Sequence, residues 1–275
     1  MFGFRLTLEA LFTLTTNFWT AVQVSFLPLA ILWGISLAGM AWITGGVSLS
    51  QLLDMADPYS GNGTPPPGIW ALIAVLLVTY ALCMAWIAVT WHRFFLRSEA
   101  VKSLVPPFHF RRTLGYILRG ILVAMVLIPI GLVFGFFSSW IISVALTMWA
   151  GSGVMLFLSV FFFVTEVIVA YILLRVSLIL PGWAIDRPLG VGESIHATGK
   201  FRLQVLGGAV MVTAAQWLFT SISNALFELP TLALIVQLGT DWITIMFGLA
   251  FLSVLYRYAI LPPSADRVAS TGEHM

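Results

Sequence analysis

The sequence predicts an all-α integral membrane protein with six transmembrane helices. Of its 275 residues, 60% are apolar and only 9% are charged, and the mean hydropathy is +1.02. A soluble domain carries roughly a quarter charged residues, so a chain this apolar requires hydrocarbon as its main solvent. Six apolar stretches are each long enough to cross about 30 Å of hydrocarbon at about 1.5 Å per residue.

The six helices are expected to form a single membrane domain over residues 1–275. Backbone groups within lipid must be hydrogen-bonded inside their own segment, which favours helices, and the alternation of a barrel strand is missing. Segment 140–150 is predicted to lie flat on the outer surface, and Trp242 is one of several tryptophans expected at a membrane interface. The predicted helices lie near residues 21–43, 69–90, 114–137, 154–180, 203–227 and 241–261.

The basic residues predict the orientation. The linkers 44–68, 138–153 and 228–240 contain no Lys or Arg, whereas all 13 basic residues lie on the opposite side of the predicted membrane. The positive-inside rule makes that side cytoplasmic, and an even number of helices then places both termini there. No cleavable signal peptide is expected in MFGFRLTLEA. We therefore expect a multi-pass protein of the bacterial inner membrane, in contact with membrane lipids.

An internal repeat predicts three helical hairpins of one design. In each hairpin the second helix ends at an arginine, and these arginines are 82 residues apart, at Arg93, Arg175 and Arg257. Short interfacial helices are predicted to lead into the hairpins. The repeats cover about 6–97, 108–181 and 190–262.

The repeated residues have structural explanations and one functional alternative. Each hairpin begins with Thr-x-x-aromatic, from Thr15, Thr113 and Thr198, and threonine is expected to cap a helix there. The repeated arginines favour the negative C-terminal end of a helix and reach cytoplasmic phosphates. They are interpreted either as topology anchors or as a shared site for lipid phosphates.

Glu166, near the middle of the fourth predicted helix, is the strongest candidate for a polar site within the membrane. An ionisable residue at membrane depth indicates function by default, because hydrocarbon disfavours it. Tyr80 on the second helix and Gln216 on the fifth fall near the same depth, so the three side chains are predicted to form a midplane cluster. Glu166 is then either a proton carrier with a raised pKa or a protonated group that fixes helix packing.

No motif predicts catalysis, a metal site or a cofactor, so the protein is not expected to be an enzyme. The patterns H-E-x-x-H, G-x-S-x-G and G-x-x-x-x-G-K are missing, and Cys83 has no second cysteine for a disulfide or a metal site. Nucleic acid is not an expected partner, because basic residues are few and lack aromatic platforms. Two glycine pairs, Gly131 with Gly135 and Gly207 with Gly208, predict close helix contacts within the protein or across a dimer.

The segment from Arg175 to Arg202, RVSLILPGWAIDRPLGVGESIHATGKFR, resembles a poorly characterised family of bacterial six-helix inner-membrane proteins. That family is similar to the membrane domain attached to some glycerophosphodiester phosphodiesterases. The resemblance implies the hairpin architecture and an inner-membrane location, but no activity and no catalytic residue, because the phosphodiesterase domain is absent. The matching pieces are the Arg-x-Ser that ends a helix, then Pro181, Asp186, Glu193, Thr198 and Phe201.

Two functions fit these observations. The first is a non-enzymatic accessory or scaffold subunit of a membrane assembly, or an envelope factor, which the missing chemistry and the short linkers favour. The second is a binder or translocator of a lipid or small amphiphile, which Glu166 and the repeat favour, since repeats often frame a central pathway. The helices are broken in the middle only at Pro129, which counts against the second function.

Overall fold

The computed structural model describes residues 5–44, 68–148, 152–226 and 229–261, and in these ranges the chain is helical with no strand. The elements in chain order are α1 (Arg5–Thr16), α2 (Phe18–Thr44), α3 (Ile69–Arg97), α4 (Phe110–Met148), α5 (Ser152–Val176), α6 (Ile179–Ala184), α7 (Val191–Ala197), a 3-10 turn (Thr198–Phe201), α8 (Arg202–Ala225) and α9 (Pro230–Ala259).

Six of these helices, α2, α3, α4, α5, α8 and α9, are long and apolar enough to cross a membrane. The chain is therefore a membrane protein with six transmembrane-capable helices, as the sequence predicts. Large apolar side chains cover their outward faces: Leu77 is 64% exposed, Leu132 69% and Phe136 73%. Hydrocarbon is the solvent that suits such a surface.

The end of α4 and the start of α9 differ from the predicted boundaries. Helix α4 continues to Met148, so residues 140–148 extend the third membrane helix and do not form a separate surface helix. Helix α9 begins at Pro230, so most of the predicted linker 228–240 is helical, and Trp242 lies twelve residues inside the helix. Hydropathy marks where a helix enters hydrocarbon, whereas residues such as Pro230, which suits a first helical turn, decide where it begins.

Consecutive membrane helices pack as pairs: α2 with α3, α4 with α5, and α8 with α9. Helix α9 also packs against α1, α3 and α6, and α5 packs against α8. The largest buried side chains of α3 and α9, Trp91, Phe251 and Tyr256, are fully enclosed. The main core therefore lies near the C-terminal ends of α3 and α9, the end of the bundle that carries Arg93 and Arg257, which we call the basic end.

Gly208 and the Gly131–Gly135 pair differ in what surrounds them. A Cβ atom added at Gly208 on α8 would lie 2.3 Å from the Phe251 ring of α9, so this glycine permits a close helix contact, as predicted. A Cβ atom at Gly131 or Gly135 on α4 would meet no atom within 4 Å. The predicted close contact within the protein is therefore wrong for the Gly131–Gly135 pair, because that face of α4 looks outward.

We expect Gly208→Ala to lower the thermal unfolding midpoint of the protein in mild detergent. The added methyl overlaps the Phe251 ring, and overpacking of this kind costs about 1–3 kcal/mol. Gly131→Ala is the matched control, because its methyl points into open space and alanine favours a helix over glycine by roughly 0.5–1 kcal/mol. Equal midpoints for the two variants would contradict the close contact between α8 and α9.

Candidate functional site

Glu166 lies on the surface of the bundle and is hydrogen-bonded by an indole. The Trp217 Nε1–H on α8 donates to Glu166 Oε2 over 2.5 Å, and Glu166 is classed as exposed. Glu166 is fourteen residues from the start of α5, roughly 21 Å along the helix, so the pair lies near the middle of this apolar helix. No sequence pattern singles out Trp217, because one indole on a long apolar helix has no spacing signal that links it to Glu166.

The predicted midplane cluster does not assemble around Glu166. Gln216 is exposed on α8, next to Trp217 in sequence but about 100° away around the helix. Tyr80 lies on α3 and lines a cavity between α2, α3 and α9. Glu166 and Tyr80 thus belong to two different surfaces, because α5 and α3 present these residues to different neighbouring helices.

The cavity that holds Tyr80 is apolar with a few polar groups. Its volume is about 320 Å³, and it is walled by Trp33 of α2, Tyr80 and Met84 of α3, and Asp241 and Trp242 of α9. A second cavity of about 370 Å³ shares the Trp33 and Tyr80 walls and continues between α2 and α3. Trp242 is part of this wall.

The repeated arginines all have partners within the protein. Arg175 donates to Thr198 Oγ1 over 3.1 Å and to the Ile195 carbonyl over 2.8 Å. Arg257 forms an ion pair with Glu9 of α1. Each arginine therefore ties the end of one membrane helix to a segment that precedes another, a role within the protein that neither the topology anchor nor the lipid-phosphate site describes.

Arg93 lies in an ionic network at the basic end. Its Nε donates to Glu99 Oε2 over 2.7 Å, and its Nη1 donates to the Ala184 carbonyl over 3.1 Å. Asp186 accepts a hydrogen bond from Arg97 Nη1 over 2.8 Å and another from Arg112. This network joins the ends of α3, α4 and α6.

Two residues with a left-handed backbone conformation position the carboxylates of Glu99 and Asp186 in this network. Ser98 has φ 56° and Asp186 has φ 64°, and each follows the last turn of a helix. The Glu99 N–H then returns to the Arg93 carbonyl over 3.4 Å, and the Arg187 N–H returns to the Gly182 carbonyl over 2.8 Å. These are the reversed hydrogen bonds of a helix stop, and they turn Glu99 back toward Arg93.

The threonines of the repeat do not cap helices. Thr198 Oγ1 donates to the Ser194 carbonyl and accepts from Arg175, Thr15 donates to the Phe12 carbonyl, and the buried hydroxyl of Thr113 has no partner among the described residues. The helix starts lie elsewhere than the sequence pattern suggests, so these hydroxyls face the preceding helical turn or the core.

A buried hydrogen-bond chain connects α3, α4 and α9. Ser253 Oγ donates to the Leu249 carbonyl over 2.8 Å. Its only proton is then used, so the His92 Nδ1–H donates to Ser253 Oγ over 2.8 Å, and Tyr116 OH donates to His92 Nε2 over 3.3 Å. His92 and Ser253 are both 0% exposed. A serine–histidine pair enclosed in this way is closed to substrate and serves helix packing.

Two groups at the basic end have shifted pKa values. Burial alone would raise the pKa of Asp186, but hydrogen bonds and charges from Arg112 and Arg97 and the charge of Arg93 outweigh it and lower the pKa. Burial lowers the pKa of His109, and the Arg93 charge lowers it further, so this imidazole is neutral at pH 7. His109 and Asp186 line a polar cavity of about 450 Å³ beside Trp183.

We expect Asp186→Asn to destabilise the protein at pH 7 but to have a smaller effect near pH 3. A depressed pKa means that the ionised carboxylate stabilises the fold above the ordinary aspartate value of about 3.9, and that this contribution is lost as the pH falls through the folded value. The side chain is 51% exposed, so the effect is at most about 1 kcal/mol. Asparagine tolerates the left-handed backbone. Thermal unfolding of the wild type and the variant at pH 7 and near pH 3 measures the destabilisation. If Asp186→Asn lowers the midpoint equally at both pH values, the result would contradict the ionic network.

Within the described ranges, no group of three or more His, Cys, Asp or Glu side chains could hold a metal ion. The chain was compared with models of protein families, with curated protein sequences and with solved structures, and none of them matches it.

Proposed function

We propose that this protein is a non-enzymatic, multi-pass protein of the bacterial inner membrane that acts as an accessory or scaffold subunit of a membrane assembly. The observation that supports the proposal is the hydrogen bond between exposed Glu166 and half-buried Trp217, in the middle part of two apolar helices. A carboxylate on the lipid-facing surface is costly. A transmembrane helix of a partner, with a hydrogen-bond donor facing Glu166, would remove that cost.

The surface around the pair suits a second helix. Ser159 lies two helical turns before Glu166 on the same side of α5, and Ser221 lies one turn after Trp217 on α8. Both serines are exposed, and each is hydrogen-bonded to its own helix, to the Met155 and Trp217 carbonyls. Small residues allow helices to approach closely in lipid. The proposed docking surface therefore consists of Ser159, Glu166, Trp217 and Ser221.

The proposed orientation places the basic end in the cytoplasm. Arg97 and Arg112 lie at this end with Asp186, and the positive-inside rule assigns such an end to the cytoplasmic side. Both termini then lie in the cytoplasm.

The arginine contacts support the proposed threefold hairpin repeat. Arg93 binds Glu99, in the segment before α4. Arg175 binds Thr198 before α8, and Arg257 binds Glu9 before α2. Each arginine thus contacts the segment that leads into the next hairpin in cyclic order. We propose that α1 and α7 are the interfacial segments of this plan.

We expect the tagged protein, purified in gentle detergent, to carry a stoichiometric membrane-protein partner that Glu166→Leu removes. Leucine keeps the apolar surface but loses the acceptor for Trp217 and for the partner's donor. Ile168→Leu is the matched control, because Ile168 is exposed on the same helix and carries no polar group. Mass spectrometry of the co-purified proteins measures the result. Recovery of the wild-type protein alone, or full retention of the partner by Glu166→Leu, would overturn the proposal.

A second candidate function is the binding of a lipid or small amphiphile, supported by the cavity between α2, α3 and α9. Its volume of about 320 Å³ lies within the range of small-molecule sites. The site proposed for this function is the cavity of Tyr80, not the surface of Glu166.

We expect an alkyl-chain ligand to remain with the purified protein and to be displaced when Met84→Phe fills the cavity. Met84 is partly buried in the wall, and a bulkier ring occupies the space that the ligand needs. Mass spectrometry of the intact protein in detergent measures bound lipid. The control is Met125→Phe on the exposed face of α4, where Met125 is 63% exposed. Equal retention of the ligand by Met84→Phe and Met125→Phe would count against the cavity as the binding site.

A further inference from the structure

We propose that the cavity between α2, α3 and α9 binds the ammonium head of an alkylammonium amphiphile, with the alkyl chain lying between α2 and α3. This inference rests on the second candidate function and specifies its ligand class. It depends on the side chains that wall the cavity and on how they are held.

Three aromatic rings and one carboxylate face the cavity. Trp33 comes from α2, Tyr80 from α3, and Trp242 and Asp241 from α9. A cation within about 6 Å of an aromatic face is attracted by the ring quadrupole, and quaternary ammonium groups are recognised in this way. The Asp241 carboxylate adds the opposite charge. Aromatic faces with a carboxylate are the chemistry that selects an ammonium group.

The lining also disfavours an anionic head. No Lys, Arg or His is among the residues that wall the cavity, whereas the arginines described above lie at the basic end. A phosphate or sulfate in this cavity would face the Asp241 carboxylate without a counter-charge, and a like-charge contact of this kind opposes binding.

The polar groups of the wall are held in place before any ligand enters. The Trp242 Nε1–H donates to Ser25 Oγ over 2.7 Å, and the Phe18 ring meets the Trp242 ring edge-on at 5.5 Å. Asp241 Oδ1 accepts from Gln237 Nε2 over 2.7 Å, which leaves Oδ2 for a ligand. A preorganised site loses less free energy to ordering on binding.

The adjoining cavity provides the space for the alkyl chain of the ligand. The second cavity of about 370 Å³ shares Leu32, Trp33 and Tyr80 with the first and continues past Ile73 and Leu77. Leu77 is 64% exposed, so this space opens sideways toward the bilayer. An amphiphile can therefore enter from the membrane with its alkyl chain between α2 and α3 and its head beside Asp241.

The test measures binding of decyltrimethylammonium to the purified full-length protein in maltoside detergent by calorimetry, with decyl sulfate as the anionic comparison. Decyltrimethylammonium should bind and decyl sulfate should not. Asp241→Asn, which keeps the shape and loses the charge, should weaken ammonium binding by about tenfold, because the probe has no N–H and loses the attraction of opposite charges. Glu193→Gln is the matched control, because Glu193 lies on α7 and caps that helix, a role that glutamine keeps. Trp33→Leu, at an exposed wall position, gives a second variant with an expected loss of binding.

The lipid that co-purifies with the protein shows whether the ammonium group belongs to a membrane lipid or to a free amphiphile. Selective retention of phosphatidylethanolamine over phosphatidylglycerol, reduced by Asp241→Asn, would identify a membrane lipid. Ammonium-probe binding without such retention would identify a free amphiphile. Equal binding of both decyl probes by wild type and Asp241→Asn would overturn the ammonium proposal and leave amphiphile binding intact. Failure to bind either probe or any lipid would overturn both.

Discussion

The hydrogen bonds of His92 with Ser253 and Tyr116 are the interaction on which the packing of this protein depends. They join α3, α4 and α9, one helix from each consecutive pair, inside the best-buried part of the chain. Apolar burial drives helices together only weakly in lipid, so polar contacts and close packing must hold the bundle. This series of hydrogen bonds also decides which group donates in each bond, because the Ser253 hydroxyl donates its proton to the Leu249 carbonyl.

The contacts around these hydrogen bonds explain why the main core lies near the basic end of the bundle. Phe251 of α9 fits against Gly208 of α8, two residues from Ser253. Tyr256 is fully buried beside α6, and Arg257 lies over the Phe95 ring of α3 with 4.8 Å to its centroid. The ionic and arginine contacts at this end are made within the protein, whereas the buried Thr113 hydroxyl and His109 Nδ1 have no partner among the described residues.

Two polar features lie outside the basic end, at Glu166 and at the Tyr80 cavity. Glu166 with Trp217 is exposed on the α5–α8 face, and the Tyr80 cavity opens between α2 and α3. The two features are on different surfaces; the proposed partner helix concerns Glu166, and the proposed amphiphile concerns the cavity.

The sequence by itself determined that the chain is a membrane protein with six transmembrane-capable helices. Length and hydropathy are properties of each segment alone, so they could be read without knowing which helices are neighbours. Depth could be read in the same way, and Glu166 does lie near the middle of its helix. The rotation of each helix about its own axis could not be predicted from the sequence. Helices α2, α5 and α9 are apolar nearly all round, and a helix without an amphipathic pattern does not indicate which face meets a neighbour. Only the tertiary structure therefore decided that Glu166 meets Trp217, that Tyr80 meets Trp33 and Trp242 across a cavity, and that the repeated arginines bind protein carbonyls and carboxylates.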